Sequence, residues 1–154
     1  MVIRKACPSD YEACAALEKE IFTLHYQRRP DFFRYRDTPL TRERFGALLG
    51  TDCVFLVAEE EGEVLGHSFA GIEGYHEHPG FVDRQWLEID DIIVRDGSRG
   101  QGIGAALLEA MKEEACRLGL DHIELTVWGF NRDALEFYKK QGMRTRIQRM
   151  EMDL

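Results

Sequence analysis

The sequence predicts a mixed α/β fold, with antiparallel strands in its N-terminal half and a parallel β-α-β unit flanked by helices in its C-terminal half. Three observations predict it. Short runs of alternating apolar and polar residues recur between turn residues, as strands do. Residues 85–127 read as strand, glycine-rich turn, helix and strand, which requires a right-handed crossover between parallel neighbours. The chain also shows no fixed-period repeat and no sustained heptad, so solenoids and coiled coils are excluded. Its 154 residues, 44% hydrophobic and 31% charged, supply apolar mass for one core, and residues 1–154 are expected to form a single domain.

The elements follow in order. Residues 2–7 alternate as a first strand. After Pro8, Ser9 or Asp10 can cap a helix in which Ala13, Ala16, Leu17 and Ile21 share one face. Residues 23–39 are rich in His, Tyr, Phe and Arg without a period and read as a long loop or short helices, a length that is often functional. Leu40 staples to Phe45 across an N-cap at Thr41, opening a short helix that ends near Gly50. Residues 54–59 and 64–72 pair as a hairpin around Glu61-Gly62. A polar stretch, 73–84, leads to the strand 85–94. The turn 95–104 then opens a helix with Ile103, Leu107, Ala110, Met111 and Leu118 at helical spacing, closed by Gly119. Ile123, Leu125 and Val127 alternate as the next strand. Asn131 caps a helix running to about Gln141, Gly142 closes it, and residues 143–154 read as a last strand.

Composition excludes several function classes. The longest apolar run, 53–58, is far short of the roughly 20 residues of a membrane span, and residues 1–5 lack an export signal, so a cytoplasmic, membrane-free protein is expected. Lysine and arginine number 20 against 28 acidic residues, a net charge of −8 that disfavours nucleic-acid binding and suits a cationic substrate. Cys7, Cys14, Cys53 and Cys116 form no C-x-x-C pair and read as free thiols. His76 and His78 lack further spaced ligands, and no metal is expected.

The turn Arg99-Gly100-Gln101-Gly102-Ile103-Gly104-Ala105 lies between a strand and a helix, where free backbone N–H groups and the positive helix end suit a phosphate or pyrophosphate. Arg95 and Arg99 add local positive charge. No lysine follows the glycines, which excludes a P-loop. A dinucleotide fingerprint is met in letters by Gly100, Gly102 and Ala105, but it belongs directly after the first strand of an N-terminal unit. Coenzyme A binding is the remaining class.

Here the chain resembles the GNAT superfamily of acetyl-CoA-dependent N-acetyltransferases. The R/Q-x-x-G-x-G/A signature is matched by Arg99, Gly102 and Gly104 after the strand Ile89-Asp90-Asp91-Ile92-Ile93-Val94. A second signature, N-x-x-A-x-x-F/L-Y-x-x-x-G-F, is matched by Asn131, Ala134, Phe137, Tyr138 and Gly142 and departs only at Met143. The resemblance implies acetyl-CoA as donor, a primary amine on a small molecule or peptide as acceptor, and main-chain groups of Ile92, Ile93 and Val94 holding the pantetheine arm. It places the coenzyme against residues 99–105, Asn131, Ala134 and Tyr138. A non-catalytic coenzyme-binding or sensor domain is the alternative, and a homodimer is left open.

Acyl transfer to an amine needs a proton acceptor, an oxyanion donor and a proton for the departing thiolate. Glu88 and Asp90 share strand parity, with Leu87, Ile89 and Asp91 opposite, so a β-bulge near Asp90-Asp91 is expected. Asp90 is the preferred base and Glu88 the second. Tyr138, seven residues after Asn131, stands where the family's tyrosine donates to the coenzyme sulfur and is the expected acid. His25, Tyr26, Phe32, Phe33, Tyr35, Trp86 and Trp128 are candidates for the wall of an acceptor pocket.

Overall fold

The computed structural model describes residues 1–50 and 53–154. Strand β1 (Val2–Lys5) is followed by a 3-10 turn (Pro8–Asp10), α1 (Tyr11–Arg28) and α2 (Arg42–Leu49). Then come β2 (Val54–Glu60), β3 (Glu63–Tyr75), β4 (Arg84–Val94), α3 (Ile103–Arg117), β5 (Ile123–Leu125) and α4 (Arg132–Lys140). The strands form one sheet in the order β1-β2-β3-β4-β5, antiparallel up to β4 and parallel between β4 and β5. This is the mixed α/β architecture read from the sequence, crossover included.

Each face of the sheet carries its own core. On one, α3 buries Ile103, Leu107, Met111 and Ala115, an i, i+4 stripe, against Leu56, Ala58, Leu87 and Ile89. On the other, Cys14 and Leu17 of α1 and Phe45 and Leu48 of α2 cover Phe55, Val57 and Ile93. Burial drives the Cys14 thiol up to about 12, so it is inert packing rather than a nucleophile.

Local chemistry explains the element ends. Thr41 caps α2 by accepting from the Arg44 N–H at 3.1 Å, and Asn131 caps α4 by accepting from the Ala134 N–H at 3.2 Å. Asp10 stands at the N-cap position of α1, yet its carboxylate turns back to the Cys7 N–H (2.8 Å) and to both terminal nitrogens of Arg4 (2.7 and 2.8 Å). Strong charge-assisted bonds to a guanidinium outcompete the cap.

Three expectations need correction. Residues 23–28 are helical, because α1 continues to Arg28 and only the following segment is irregular. The hairpin of β3 and β4 extends through Tyr75↔Arg84, taking in residues assigned to the polar connection. Residues 143–154 form no strand: β5 spans only 3 residues and offers little edge, and side-chain ion pairs hold the tail instead, Arg146 to Glu124 and Glu151 to Arg29.

Candidate active site

The register places a β-bulge where the acidic strand required one. Phe69 pairs with Asp91 and Ala70 with Ile89, leaving Asp90 as the extra residue of β4. Before the bulge Leu87 and Ile89 point to the α3 core; after it Ile92 and Val94 do. Asp91 is thereby carried to the α1 face with Phe69 and Ile93. The bulge exposes Asp90 to solvent and leaves Asp91 half-buried. Both carboxyls titrate above the ordinary carboxylate range. Burial is the main cause for each; Glu88 and Glu73 add to it at Asp90, and Glu18 and Asp90 at Asp91. Glu88 accepts from Trp86 Nε1–H at 2.8 Å, which occupies one of its oxygens.

Pairing of β4 with β5 stops at Ile89↔Leu125, so among the described residues no strand lies beside β4 on that edge from Asp90 to Val94. Ile92, Ile93 and Val94 therefore lie on a stretch of β4 that β5 does not pair. The glycine turn closes one end of it. Gly102, at φ 85°, is the N-cap of α3, a left-handed conformation that a side chain would strain, and it leaves the first amides of the helix, Ile103, Gly104 and Ala105, directed outward. A Cβ on Gly104 would lie 3.4 Å from the Phe137 ring, so this glycine seats α4 against α3. Gly100 and Gln101 are exposed on the turn.

The two arginines of the turn are engaged by protein. Arg99 donates from Nε to the Val94 carbonyl (3.2 Å) and pairs with Glu20 of α1 (2.9 Å), while Arg95 pairs with Glu63 (2.9 Å) and donates to the Val64 carbonyl. Their charge fixes the turn to α1 and β3. The groups left free to meet an anion at the turn are backbone amides at the helix end.

Tyr138 packs from α4 against the α3 core, with Ala134 one turn earlier. Burial and the nearby Asp91 charge push its phenol up to about 12. The site thus joins a phenol, a bulged pair of carboxyls, an open strand edge and a helix N-terminus.

The candidate wall residues divide. Phe32, Phe33 and Trp128 form one cluster (ring centroids 4.9–5.4 Å) that His25 joins through Phe33 and Phe130. Tyr26 and Tyr35 form a separate pair, and Trp86 packs on Tyr75 in the β3–β4 hairpin. His76 bonds Asp83 at 3.0 Å, and His78 packs on Phe81.

Sequence reasoning passed over Glu18 and His67. His67, fully buried on β3, bonds Glu18 through Nε2 at 3.0 Å, and Glu18 is the charge from α1 that acts on Asp91. A signal existed: Glu18 lies four residues after Cys14, on the helical stripe that is otherwise buried.

The chain matches the Acetyltransferase (GNAT) family over residues 16–143. It belongs to that family. This GNAT chain is 35% identical over 65 residues to L-ornithine N5-acetyltransferase of Arabidopsis thaliana, a match covering 42% of the chain and 28% of the plant protein. With thialysine N-epsilon-acetyltransferase of Sus scrofa the identity is 28% over 151 residues, covering 94% and 84% of the two. The tetramutant of the BH1408 protein from Bacillus halodurans superposes with a TM-score of 0.94 at 33% identity over 100% of both chains. The GNAT fold and these N-acetyltransferase relatives agree on an acyltransferase.

Proposed function

We propose that residues 1–154 form one catalytic domain that transfers an acetyl group from acetyl-CoA to a primary amine of a small molecule or peptide. The observation that carries this reading is the open edge of β4, with backbone amides of a helix N-terminus near one end of it and Tyr138, which feels the charge of Asp91, packed from α4. The residues fit the coenzyme: amides of 103–105 and the turn 99–102 suit its pyrophosphate, the edge at Ile92, Ile93 and Val94 suits an amide-bearing arm, and the family resemblance adds Asn131 and Ala134 at the start of α4. When bound, acetyl-CoA supplies the thioester whose acyl group passes to nitrogen.

The chain's own residues do the rest. An alkylamine is almost wholly protonated at neutral pH, so a base must take its proton. Asp90 is that base: it is the extra residue of the bulge, and burial together with Glu88 and Glu73 raises its pKa above the ordinary carboxylate value. Glu88, tied to Trp86, is the second choice. Tyr138 holds the proton for the departing thiolate. The acidic row of Glu73, Glu88 and Asp90 favours a cationic acceptor, and two relatives are named for acceptors that carry side-chain amines, ornithine and thialysine.

A thermal melt with acetyl-CoA, NAD and ATP in parallel tests the donor. A ligand at 100 times its Kd adds about 2.7 kcal/mol, several degrees for a chain of this size. Acetyl-CoA alone is expected to shift the melt, and free thiol is then expected with L-ornithine, thialysine, 1,4-diaminobutane or a lysine peptide as acceptor. No shift with acetyl-CoA, or a larger one with NAD, overturns the reading.

A further inference from the structure

The turn between β4 and α3 is jointed by glycine. Gly97, Gly100 and Gly102 stand at φ 74°, 78° and 85°, and among the described residues nothing lies within 4 Å of where a Cβ on any of them would sit. Three such joints leave the segment many alternative paths, so contacts from outside the turn set its course. Arg95, bonded to Glu63 and the Val64 carbonyl, ties its start to β3. A second tie comes from α1. Glu20 accepts from the Asp96 N–H at 3.0 Å and from Arg99 Nη2 at 2.9 Å, across 76 and 79 residues of chain. Arg99 Nε in turn reaches the Val94 carbonyl at 3.2 Å, so one guanidinium joins Glu20 to the last residue of β4. Glu20 stands on a fixed base, since Leu17, one turn earlier on α1, is buried in the core.

We propose that Glu20 is a positioning residue of the coenzyme site: through the Asp96 N–H and Arg99 it fixes the spacing between the unpaired stretch of β4 and the first amides of α3. The inference rests on the acetyltransferase reading and deepens it. A coenzyme whose arm lies along Ile92, Ile93 and Val94 and whose diphosphate meets the amides of 103–105 needs both at one fixed separation. Folding alone gives little reason for the contact, because the Arg99 and Glu20 side chains are 52% and 35% exposed and exposed ion pairs contribute little to stability. The carboxylate is also a negative charge beside a site for an anion, which Arg99 neutralises. Glutamine keeps an accepting oxygen without the charge, and leucine removes the acceptor at a similar size. The two substitutions therefore separate geometry from charge.

Calorimetric titration with coenzyme A, alongside a melt of each unliganded variant, tests the role. Glu20→Leu should weaken binding about tenfold, the worth of a bond to a charged group, and Glu20→Ala, with alanine the better helix former, should match it. Glu20→Gln should bind at least as tightly as the unsubstituted chain. In turnover, Glu20→Leu should raise the KM for acetyl-CoA by a similar factor and leave kcat at saturation unchanged. With S-acetylpantetheine, a thioester that has the arm and no diphosphate, kcat/KM should not move. Unchanged affinity for coenzyme A in Glu20→Leu and Glu20→Ala overturns the positioning role. Tighter binding overturns it too and makes Glu20 a counter-charge only. An equal loss with S-acetylpantetheine also overturns it, because the damage is then to the whole site. In each of these outcomes the acetyltransferase reading stands; if the unsubstituted chain binds no coenzyme A, that reading falls and takes the role of Glu20 with it.

Discussion

In the proposed reaction Tyr138 and Asp90 carry separable loads, because one would serve the leaving group and the other the entering amine. Replacing Tyr138 by Phe keeps the ring that packs on the α3 core and removes only the hydroxyl. Turnover should fall about a hundredfold, the usual contribution of a placed acid, with little change in acetyl-CoA affinity by calorimetry. Turnover equal to wild type would remove Tyr138 as the acid. Asp90→Asn should lose rate that higher pH partly recovers, since the free-amine fraction rises with pH and substitutes for the missing base; a pH profile identical to wild type rules the base out. The second signature singled out Tyr138 in the sequence, and strand parity singled out Asp90. Asp91 was visible only as a carboxylate of the opposite parity, because the slip that moves it to the α1 face depends on which residue of β3 it pairs with.

Among the elements, the β4–turn–α3 unit concentrates the site. Its strand, left-handed glycine and amphipathic helix were all readable locally, since φ preference and the i, i+4 stripe belong to the segment itself. Gly102→Val forces a branched side chain into φ 85° at the helix start. The strain should cost on the order of 1–2 kcal/mol, and the displaced amides should weaken acetyl-CoA binding more than they slow turnover at saturation. Calorimetric titration alongside a melt checks this, and unchanged affinity would detach the turn from coenzyme binding. Elements without such local signals were misread. Residues 23–28 carry no apolar period yet stay helical, where His25 packs on Phe33 and Phe130 and Tyr26 on Tyr35, contacts with residues outside the helix.

At the scale of the whole molecule, two carboxyls, buried Asp10 and half-buried Asp91, pull the pH dependence of stability in opposite directions. Asp10, gripped by Arg4, is held down at about 2 against an ordinary 3.8, so it contributes about 2 kcal/mol above pH 3.8 that is lost as pH falls toward 2. Asp91 is raised, so the folded state holds a proton that the unfolded state has released, and stability declines as pH rises above the ordinary carboxylate range. The melting temperature should therefore peak in mild acid. Asp91→Asn should flatten the decline toward neutral pH, and Asp10→Asn should lower the mild-acid maximum. A wild-type melt that rises steadily from pH 5 to 8 would contradict the assignment for Asp91.

The sequence by itself determined the alternation and capping that define most elements, the crossover between parallel strands, the glycine turn and the phenol on the last helix, since each depends on residues close in the chain. Tertiary structure decided what distant residues do to one another. It pinned the arginines of the turn on Glu20 and Glu63, left residues 143–154 to ion pairs instead of a strand, and brought His67 and Glu18 against the bulged β4. The physical reason is that propensity and φ/ψ preference are local, whereas register, burial and the field at a carboxyl are properties of the packed sheet and helices together.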